Sequence, residues 1–480
     1  MVQTAENVQG FGFVMRRLSG ATACAVAFQL AACTNGPSEV DHVDVVAVGL
    51  GAAAKMPEPE TRRVPTPDLD PQEQARADEV DAYLARRYDK LGYKIVATTQ
   101  TYIGDVVDWV DPDTIPGAYE TPPPPIDKDG EENDPGPGME LEAPELRGPP
   151  GTVPFIRPAY MAYIRPPAGN EGRERYKSIE KFIEGQQQGQ PNGKDRLYGG
   201  FQMFDNISAV VANLQVWEEG TLESDTFSLA EISVACNGPN NAPNHIEQDI
   251  VGATVSRDRS NFNNPADAPA RLQVEVYHKD PGGMPAPFSR WAQAPYVYWV
   301  PSSSAPYSPG AAYNDGDEST IDGNQYDYRY EWLLFNGNWW LNHRGNWLGY
   351  YPANILPFFQ ANDQGCYASW YGEVFDNSES TWTSTNMGSG RFASAGWKKS
   401  AYIRKPFYVD GTGTSLWAEG TGAADDSSGV GTGGVRMDST AAIVDPACYT
   451  TSGMKRNSGS STWPRYFYFG GPGGDATGCM

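Results

Sequence analysis

The chain has 480 residues, a formal net charge of −24 at pH 7, 12% aromatic residues and 20% charged residues. This length allows two or three domain-sized regions with a large core. Its 52 glycines and 39 prolines suit many short strands and turns better than helical bundles. An acidic chain without a basic stripe is not expected to bind nucleic acid.

The N-terminus predicts a bacterial lipoprotein signal peptide over residues 1–33, with translation starting at Met15. Met15 and two arginines precede an apolar run from Ala21 to Leu30, and Leu-Ala-Ala-Cys ends at Cys33. The run is too short to span a bilayer, and the ending resembles the lipobox whose cysteine is acylated. The alternative is an ordinary buried segment. Because Thr34 follows the cysteine instead of Asp, we expect a lipid anchor in the outer membrane of the cell envelope, or an extracellular protein after processing.

The remaining cysteines predict two disulfides in an exported protein. Cys236, Cys366, Cys448 and Cys479 allow three pairings, of which we expect Cys448 with Cys479, leaving Cys236 with Cys366. There is no C-x-x-C spacing, and the four histidines are scattered along the chain. We therefore expect no metal site and no cofactor.

Residues 34–196 form a leader that is expected to be partly disordered. Its composition fits a tether, a partner-binding arm or a removable pro-segment, and these alternatives stay open. The segment 186–194, rich in Gln and Gly, predicts an exposed loop that a protease could reach. The predicted elements of the leader are a helix at 72–91, short strands at 95–98 and 102–109, an extended acidic and proline-rich stretch at 121–154, and a short helix at 178–186.

Residues 197–480 predict an all-β domain. Short aromatic and β-branched runs alternate with Gly, Asn, Asp and Ser clusters, and no helical period competes with them. Two packed antiparallel sheets, a β-sandwich, are the economical architecture. The predicted strands lie near 207–217, 226–235, 247–257, 271–279, 295–300, 328–335, 338–343, 366–375, 396–404 and 463–469.

One strand glutamate, Glu373, lies in the stretch from Glu331 to Lys405, which is dense in tryptophan. The carboxyl either points to solvent, the more common outcome for a strand glutamate, or lines a cleft with aromatic walls. In a cleft, desolvation would raise the pKa of the carboxyl and make it a proton donor.

Several motifs in a fixed order make the chain resemble the neprosin domain, a family of plant and bacterial glutamic peptidases that cleave after proline. The resemblance covers roughly residues 198–480, with weaker echoes in the leader, and is most specific at 337–404 and 466–479. The motifs are N-x-W-W-L and L-G-Y-Y-P-A within 338–353, W-Y-G-E-V at 370–374, N-M-G-S-G-R-F at 386–392, A-Y-I-R at 401–404 and Y-F-G-G-P-G-G at 468–474.

The resemblance implies a pair of catalytic glutamates on facing strands. One lies in the G-E-V motif and maps to Glu373, whereas the other lies in a Glu-x-Gly-Trp pattern whose nearest match is Glu247. Asp249 and Ile250 stand where Gly and Trp are usual, so Glu275 is the second choice for the partner.

Such a pair predicts an endopeptidase that works without a metal or a nucleophilic side chain. Two close carboxyls share one proton, so one activates water and the other protonates the leaving group, and activity is favoured in acid. The substrate would be a proline-containing peptide or protein, and Trp370, Tyr371 and Trp339 are predicted to form the aromatic walls against the proline ring.

Two other functions remain open. Aromatic side chains also stack on sugars and paired carboxyls also hydrolyse glycosides, which fits a carbohydrate-active β-sandwich. The altered context of Glu247 fits an inactive neprosin-like protein that only binds. A glycosidase would leave peptides intact, and an inactive relative would bind without turnover.

Overall fold

The computed structural model describes residues 69–124, 126, 138–165, 177–188, 196–217, 222, 226–237, 248–258, 269–279, 298–314, 316–376, 383–418, 434–437, 448–475 and 478–479. The predicted signal peptide with Cys33, and the predicted catalytic residue Glu247, lie outside these residues.

The described part of the leader contains a long helix and a small antiparallel sheet. The strands of this sheet are arranged in the order β1, β2, β3. The elements are α1 (Pro71–Leu91), β1 (Ile95–Gln100), β2 (Val106–Val110), β3 (Val153–Ile156), α2 (Met161–Ile164) and α3 (Ile179–Gln188), with short 3₁₀ turns at Pro112–Thr114, Glu140–Glu142 and Pro144–Leu146. The first two strands and the helices α1 and α3 lie close to their predicted positions.

Both ends of α1 are fixed by local sequence signals. The Asp70 carboxylate accepts the backbone N–H groups of Gln72 at 2.8 Å and Glu73 at 2.9 Å, and the Glu73 side chain accepts the N–H of Asp70. Gly92 ends the helix in the left-handed conformation, at φ 71°. Within the described residues, no helix is both long and apolar enough to cross a membrane.

The rest of the described chain consists mainly of antiparallel strands. These are β4 (Arg196–Val216), β5 (Thr226–Asn237), β6 (Gln248–Asp258), β7 (Arg271–Lys279), β8 (Val300–Pro301), β9 (Tyr326–Phe335), β10 (Asn338–His343), β11 (Asn346–Pro352), β12 (Gly365–Asp376), β13 (Ala401–Asp410), β14 (Ser415–Trp417), β15 (Gly434–Met437), β16 (Thr450–Thr451), β17 (Lys455–Arg456), β18 (Arg465–Gly470), β19 (Gly474–Asp475) and β20 (Gly478–Cys479), with one short helix, α4 (Pro357–Asn362).

The long strand β4 connects two halves of one curled sheet. Its first half, up to Ile207, pairs with β12, and its second half, from Ala209 to Val216, pairs with β9. The strand order is β7-β6-β5-β12-β4-β9-β10-β11-β8, and β13 adds to β4 and carries β18. Aromatic and aliphatic side chains of both halves form one buried cluster. These features confirm the predicted all-β sandwich.

Two tight hairpins set the register around the W-W-L motif. Asn336 and Gly337 have φ values of 51° and 74° between β9 and β10, and Arg344 and Gly345 have 54° and 76° between β10 and β11. Positive φ at both central residues is the geometry of a type I′ turn, which matches the twist of paired strands. The predictions miss β11, because its Gly and Pro residues read as turn signals.

The predicted strand at 396–404 is shifted in the structure. β13 begins at Ala401 and runs to Asp410, whereas Gly396 and Lys398 have φ values of 74° and 65°. These conformations belong to a turn and not to a strand, so pairing starts only after it.

Cys236 and Cys366 form a disulfide between the neighbouring strands β5 and β12, with Cα atoms 4.6 Å apart. This is the pairing that remained for these two residues in the sequence analysis. Cys448 is also disulfide-bonded. The side chain of Cys479 is outside the described part of the chain, so its pairing with Cys448 stays a prediction.

The leader is docked on the sandwich through a buried ion pair. Asp105, just before β2, contacts the guanidinium of Arg271 at the start of β7, and each side chain is 2% exposed. Nearby, the N–H of Glu140 donates to the carbonyl of Ala312 at 3.0 Å. Removing one partner of such a pair leaves a buried charge and costs on the order of 3–5 kcal/mol. The sequence predicted the leader elements but not this docking.

Burial, together with the Asp105 carboxylate, raises the pKa of Glu140 to about 7. Burial also raises the pKa of Asp105, although Arg271 opposes this. In both cases the folded state holds the proton more tightly than the unfolded chain. Stability from these groups is therefore complete in acid and is lost as pH rises; for Glu140 the loss ends near pH 7. Acid does not loosen this contact through either group.

We expect Glu140→Gln to raise the free energy of unfolding at about pH 8 by on the order of 3 kcal/mol. The variant should also flatten the decline of stability between about pH 4.5 and pH 7, because the amide cannot ionise. Its oxygen can still accept the Ile103 N–H that Glu140 accepts at 3.1 Å. Denaturant unfolding across this pH range measures the effect. The exposed Glu120→Gln is the control, and an unchanged decline in Glu140→Gln would contradict the prediction.

Candidate functional site

The site is built on β12, where alternate side chains point to opposite faces. Glu373 is 1% exposed and is paired with Tyr198 of β4 on one side and Leu229 of β5 on the other. Tyr371, two residues earlier, points to the same face, and its ring contacts the Tyr198 ring edge-on at 5.4 Å.

The other face of β12 belongs to the hydrophobic core. Trp370 is fully buried there and donates its indole N–H to the carbonyl of Val211 at 3.0 Å. Trp339 is also fully buried, with its ring 5.3 Å from that of Phe359. Of the three aromatic residues predicted to bind substrate, the structure therefore places only Tyr371 beside Glu373. The period of two along a strand separates Trp370 from Glu373.

Three rows of paired residues cross β12, β5, β6 and β7 on the Glu373 face, which we call the polar face. The strand pairing fixes which residues share a row. The rows are Ser369–Ser233–Gly252–Glu275, Tyr371–Glu231–Thr254–Gln273 and Glu373–Leu229–Ser256–Arg271.

This face is unusual because its polar side chains are buried. The exposed fraction is 4% or less for Ser233, Thr254, Ser256, Gln273 and Ser369. Buried polar groups cost free energy unless they are hydrogen-bonded. A group of buried polar side chains on one face of a sheet is therefore a candidate for a binding or catalytic site.

Two further glutamates lie on the polar face besides Glu373. Glu231 is fully buried opposite Tyr371, and its carboxylate occupies the space that a Cβ at Gly252 would fill. The Cγ of Glu275 lies 3.1 Å from the same point, so the side chains of Glu231 and Glu275 converge over Gly252. The second-choice residue Glu275 thus lies on the face that carries Glu373.

The three glutamates of the polar face all affect the pKa of Tyr371. Burial raises its pKa well above the usual range, and Glu231, Glu373 and Glu275, in that order, raise it further. The phenol therefore keeps its proton at any pH at which the protein would work, and it is available as a hydrogen-bond donor.

Asp249, which departs from the family pattern, has a structural role. Its buried carboxylate contacts the Nδ1 of His278 at 2.5 Å and accepts the N–H groups of Phe358 at 2.6 Å and Phe359 at 3.3 Å, in the first turn of α4. Burial raises the pKa of Asp249, and these partners oppose the shift. His278, one of the four histidines scattered along the sequence, thus contacts Asp249.

The sequence analysis did not single out Glu231 or Gly252. The available signal was a lone glutamate in the otherwise apolar run Phe227 to Ala235. Among the residues that the structure describes, no group of three His, Cys, Asp or Glu side chains is arranged to hold a metal ion.

Two of the solved structures that resemble this chain are distant in sequence. A crystal structure of Scytalido-glutamic peptidase with a peptide-based transition state analog is 8% identical, with a TM-score of 0.27, and the alignment covers 57% of this chain and 98% of the peptidase. The beta-porphyranase BpGH16B from the human gut bacterium Bacteroides plebeius is 9% identical, with a TM-score of 0.20 and coverage of 36% and 54%. Both TM-scores are too low to support an argument about function.

No curated protein sequence matches this chain. The family model described as Neprosin matches residues 299–472, which include β9 to β13 and Glu373. This match confirms the resemblance drawn from the sequence motifs: residues 299–472 are similar to the neprosin family.

Proposed function

We propose that this protein is a glutamic endopeptidase that hydrolyses peptide bonds after proline and is favoured in acid. The observation that carries the proposal is the position of Glu373. It is the glutamate of the family's G-E-V motif, and it is buried on a polar face that holds two more carboxyl groups, Glu231 and Glu275.

The proposed reaction needs one ionised and one protonated carboxyl group. Glu373 takes a proton from water while the water oxygen forms a bond to the scissile carbonyl carbon. A second carboxyl group then donates its proton to the leaving nitrogen as the carbon–nitrogen bond breaks, giving a carboxylic acid and an amine. The proton on Glu373 returns to the second carboxyl, which completes the cycle. Glu247 was predicted for that second role and stays a prediction.

Proline preference is proposed from the apolar surfaces next to Glu373. The ring of Tyr371 and the side chain of Leu229 flank the carboxyl on the same face. A flat aromatic surface suits a proline ring, which offers apolar contact and no N–H.

We expect Glu373→Gln to lower kcat/KM on a proline-containing quenched peptide by roughly 100-fold or more, with the fold intact. The amide preserves the size of the side chain but cannot take a proton from water. Cleavage is measured from acid to neutral pH with product mapping, and wild type should cut after proline, fastest in acid. The matched control is Glu331→Gln, another strand glutamate that is 1% exposed. Wild-type turnover by Glu373→Gln would refute the proposal, and cleavage of oligosaccharides instead of peptides would favour the carbohydrate-active alternative.

We also propose export and lipidation at Cys33, from the lipobox-like ending alone. Bacteria fed a labelled fatty acid should incorporate label into wild type and not into Cys33→Ala, because the thiol is the acylated group. The wild-type protein should sediment with outer membranes. Equal labelling of both proteins would contradict the proposal.

The leader is proposed to be a pro-segment that is removed by cutting between residues 186 and 197. Its support is the buried Asp105–Arg271 contact, since Arg271 lies in the same row of the polar face as Glu373. Because the raised pKa values of Asp105 and Glu140 do not favour release of the leader in acid, we propose that release depends on cutting of the chain.

Mass spectrometry of the active material should then show a chain that starts between residues 186 and 197. The full-length protein should be inactive or strongly slowed, because the leader covers the edge of the polar face. Full-length protein as the active form would exclude a pro-segment and leave the tether.

A further inference from the structure

Five aromatic side chains form a continuous cluster where β13 and β18 pair, separate from the main hydrophobic core. The centroid of the Trp397 ring lies 5.0 Å from that of Trp463 and 5.7 Å from that of Tyr402. The Trp463 ring also lies 4.7 Å from Tyr402 and 5.2 Å from Tyr466, and Tyr466 lies 5.6 Å from Tyr468. We call these five residues the aromatic platform.

Trp397 remains 47% exposed although it lies on a well-anchored turn. Its neighbours Gly396 and Lys398 have φ values of 74° and 65°. The Ser400 hydroxyl accepts the N–H of Gly396 at 2.9 Å, and the carbonyl of Lys398 accepts the N–H of Asp322 at 2.9 Å. A single exposed tryptophan is ordinary, but one that a fixed turn holds beside other aromatic rings belongs to a surface patch that can bind a partner.

The charge around the platform is opposite in sign to that of the whole chain. The net charge is −24, yet residues 386–409 contain five Lys or Arg residues, residues 449–474 contain three, and neither range contains Asp or Glu. Arg404 is paired with Asp327. Lys398 and Lys399 adjoin Trp397, reach solvent and form no ion pair with a described residue. The platform therefore presents positive charge next to aromatic rings.

A loop of uncharged polar residues leads into the platform at Trp463. Residues 457–462, between β17 and β18, read N-S-G-S-S-T and are mostly exposed. The carbonyl of Thr462 accepts a hydrogen bond from Nη1 of Arg404 at 2.9 Å, and the guanidinium of Arg404 lies 5.7 Å from the centroid of the Trp463 ring. These contacts keep the loop beside the rings. Its hydroxyl and amide groups can exchange hydrogen bonds with the hydroxyls of a ligand.

We propose that the aromatic platform binds an acidic polysaccharide. Sugar rings stack on Trp397, since the C–H face of a pyranose gains dispersion contacts on a flat aromatic side chain. Uronate carboxylates pair with Lys398 and Lys399, and the loop at 457–462 hydrogen-bonds to sugar hydroxyls. The platform lies on β13 and β18, and neither strand is hydrogen-bonded to β12. Binding is therefore a second function that does not use Glu373.

Three other anionic partners fit these residues less well. A membrane surface favours apolar side chains around an exposed tryptophan, whereas the loop at 457–462 is polar. Nucleic acid is repelled by a chain with a net charge of −24. An acidic peptide matches the lysines but has no sugar ring to cover the aromatic surface. The combination of rings, lysines and hydroxyl groups favours an acidic polysaccharide.

The test measures binding of the full-length protein to polygalacturonate, with the fully methyl-esterified polymer as its uncharged counterpart. Affinity electrophoresis should show binding to the acidic polymer at least about tenfold tighter than to the ester, and salt should weaken it. Trp397→Ala should weaken binding roughly tenfold, whereas Trp397→Phe keeps a ring and should lose less. The double variant Lys398→Gln/Lys399→Gln should bind more weakly and with less dependence on salt, because two of the paired charges are gone. Circular dichroism verifies folding.

Tyr119→Ala is the matched control, because it removes an exposed ring elsewhere, in the leader. It should bind as wild type does, and so should Glu373→Gln, which separates failure of this inference from failure of the proposed peptidase. Unchanged affinity in Trp397→Ala, or equal binding of the acidic and esterified polymers, would overturn the inference. Equal or tighter binding to polyglutamate, single-stranded DNA or phosphatidylglycerol vesicles would also overturn it, in favour of that partner.

Discussion

The alternation of side chains along β12 is the constraint on which the rest of the structure depends. Trp370 and Glu373 are three residues apart, so one points into the core and the other onto the polar face. A slip of one residue in register would exchange the two faces, burying a carboxyl among aromatic rings and removing an indole from the core. Pairing on both sides, with β4 and β5, prevents that slip.

The disulfide reinforces the same register from one end. Cys236 and Cys366 join β5 to β12 beside the first paired residues of those strands. A covalent link there fixes which β5 residues face which β12 residues several positions further on. The positions of Glu231 opposite Tyr371, and of Leu229 opposite Glu373, follow from it. Such a link also reduces the entropy of the unfolded chain.

The leader and the polar face are connected through Arg271. Its guanidinium ends the row that begins at Glu373, and the leader carboxylate Asp105 contacts it where both side chains are buried. A change in the leader that removes the Asp105 contact therefore changes the surroundings of Arg271 at the edge of the proposed catalytic face. Asp249, which stands where the family pattern has Gly, has a structural role, because its carboxylate contacts His278 and the start of α4.

The sequence by itself determined the class of fold, most strands and the ends of α1. Their signals are local: a period of two, Asn-Gly at a hairpin, and Asp70 with Glu73 at a helix start. The family motif also predicted Glu373 as a candidate catalytic residue, because a motif is read along the chain. Tyr371 could be assigned beside Glu373 for the same reason.

Only the tertiary structure decided which distant residues share the polar face. Glu231, Gly252 and Glu275 are far apart along the chain, and their convergence depends on the strand order β7-β6-β5-β12 and on register. The sequence does not distinguish an aromatic residue that lines a cleft from one that packs in the core. Trp370 and Trp339 are buried in the core, which depends on tertiary packing. The docking of Asp105 on Arg271 joins residues 166 positions apart, a contact that no local signal specifies.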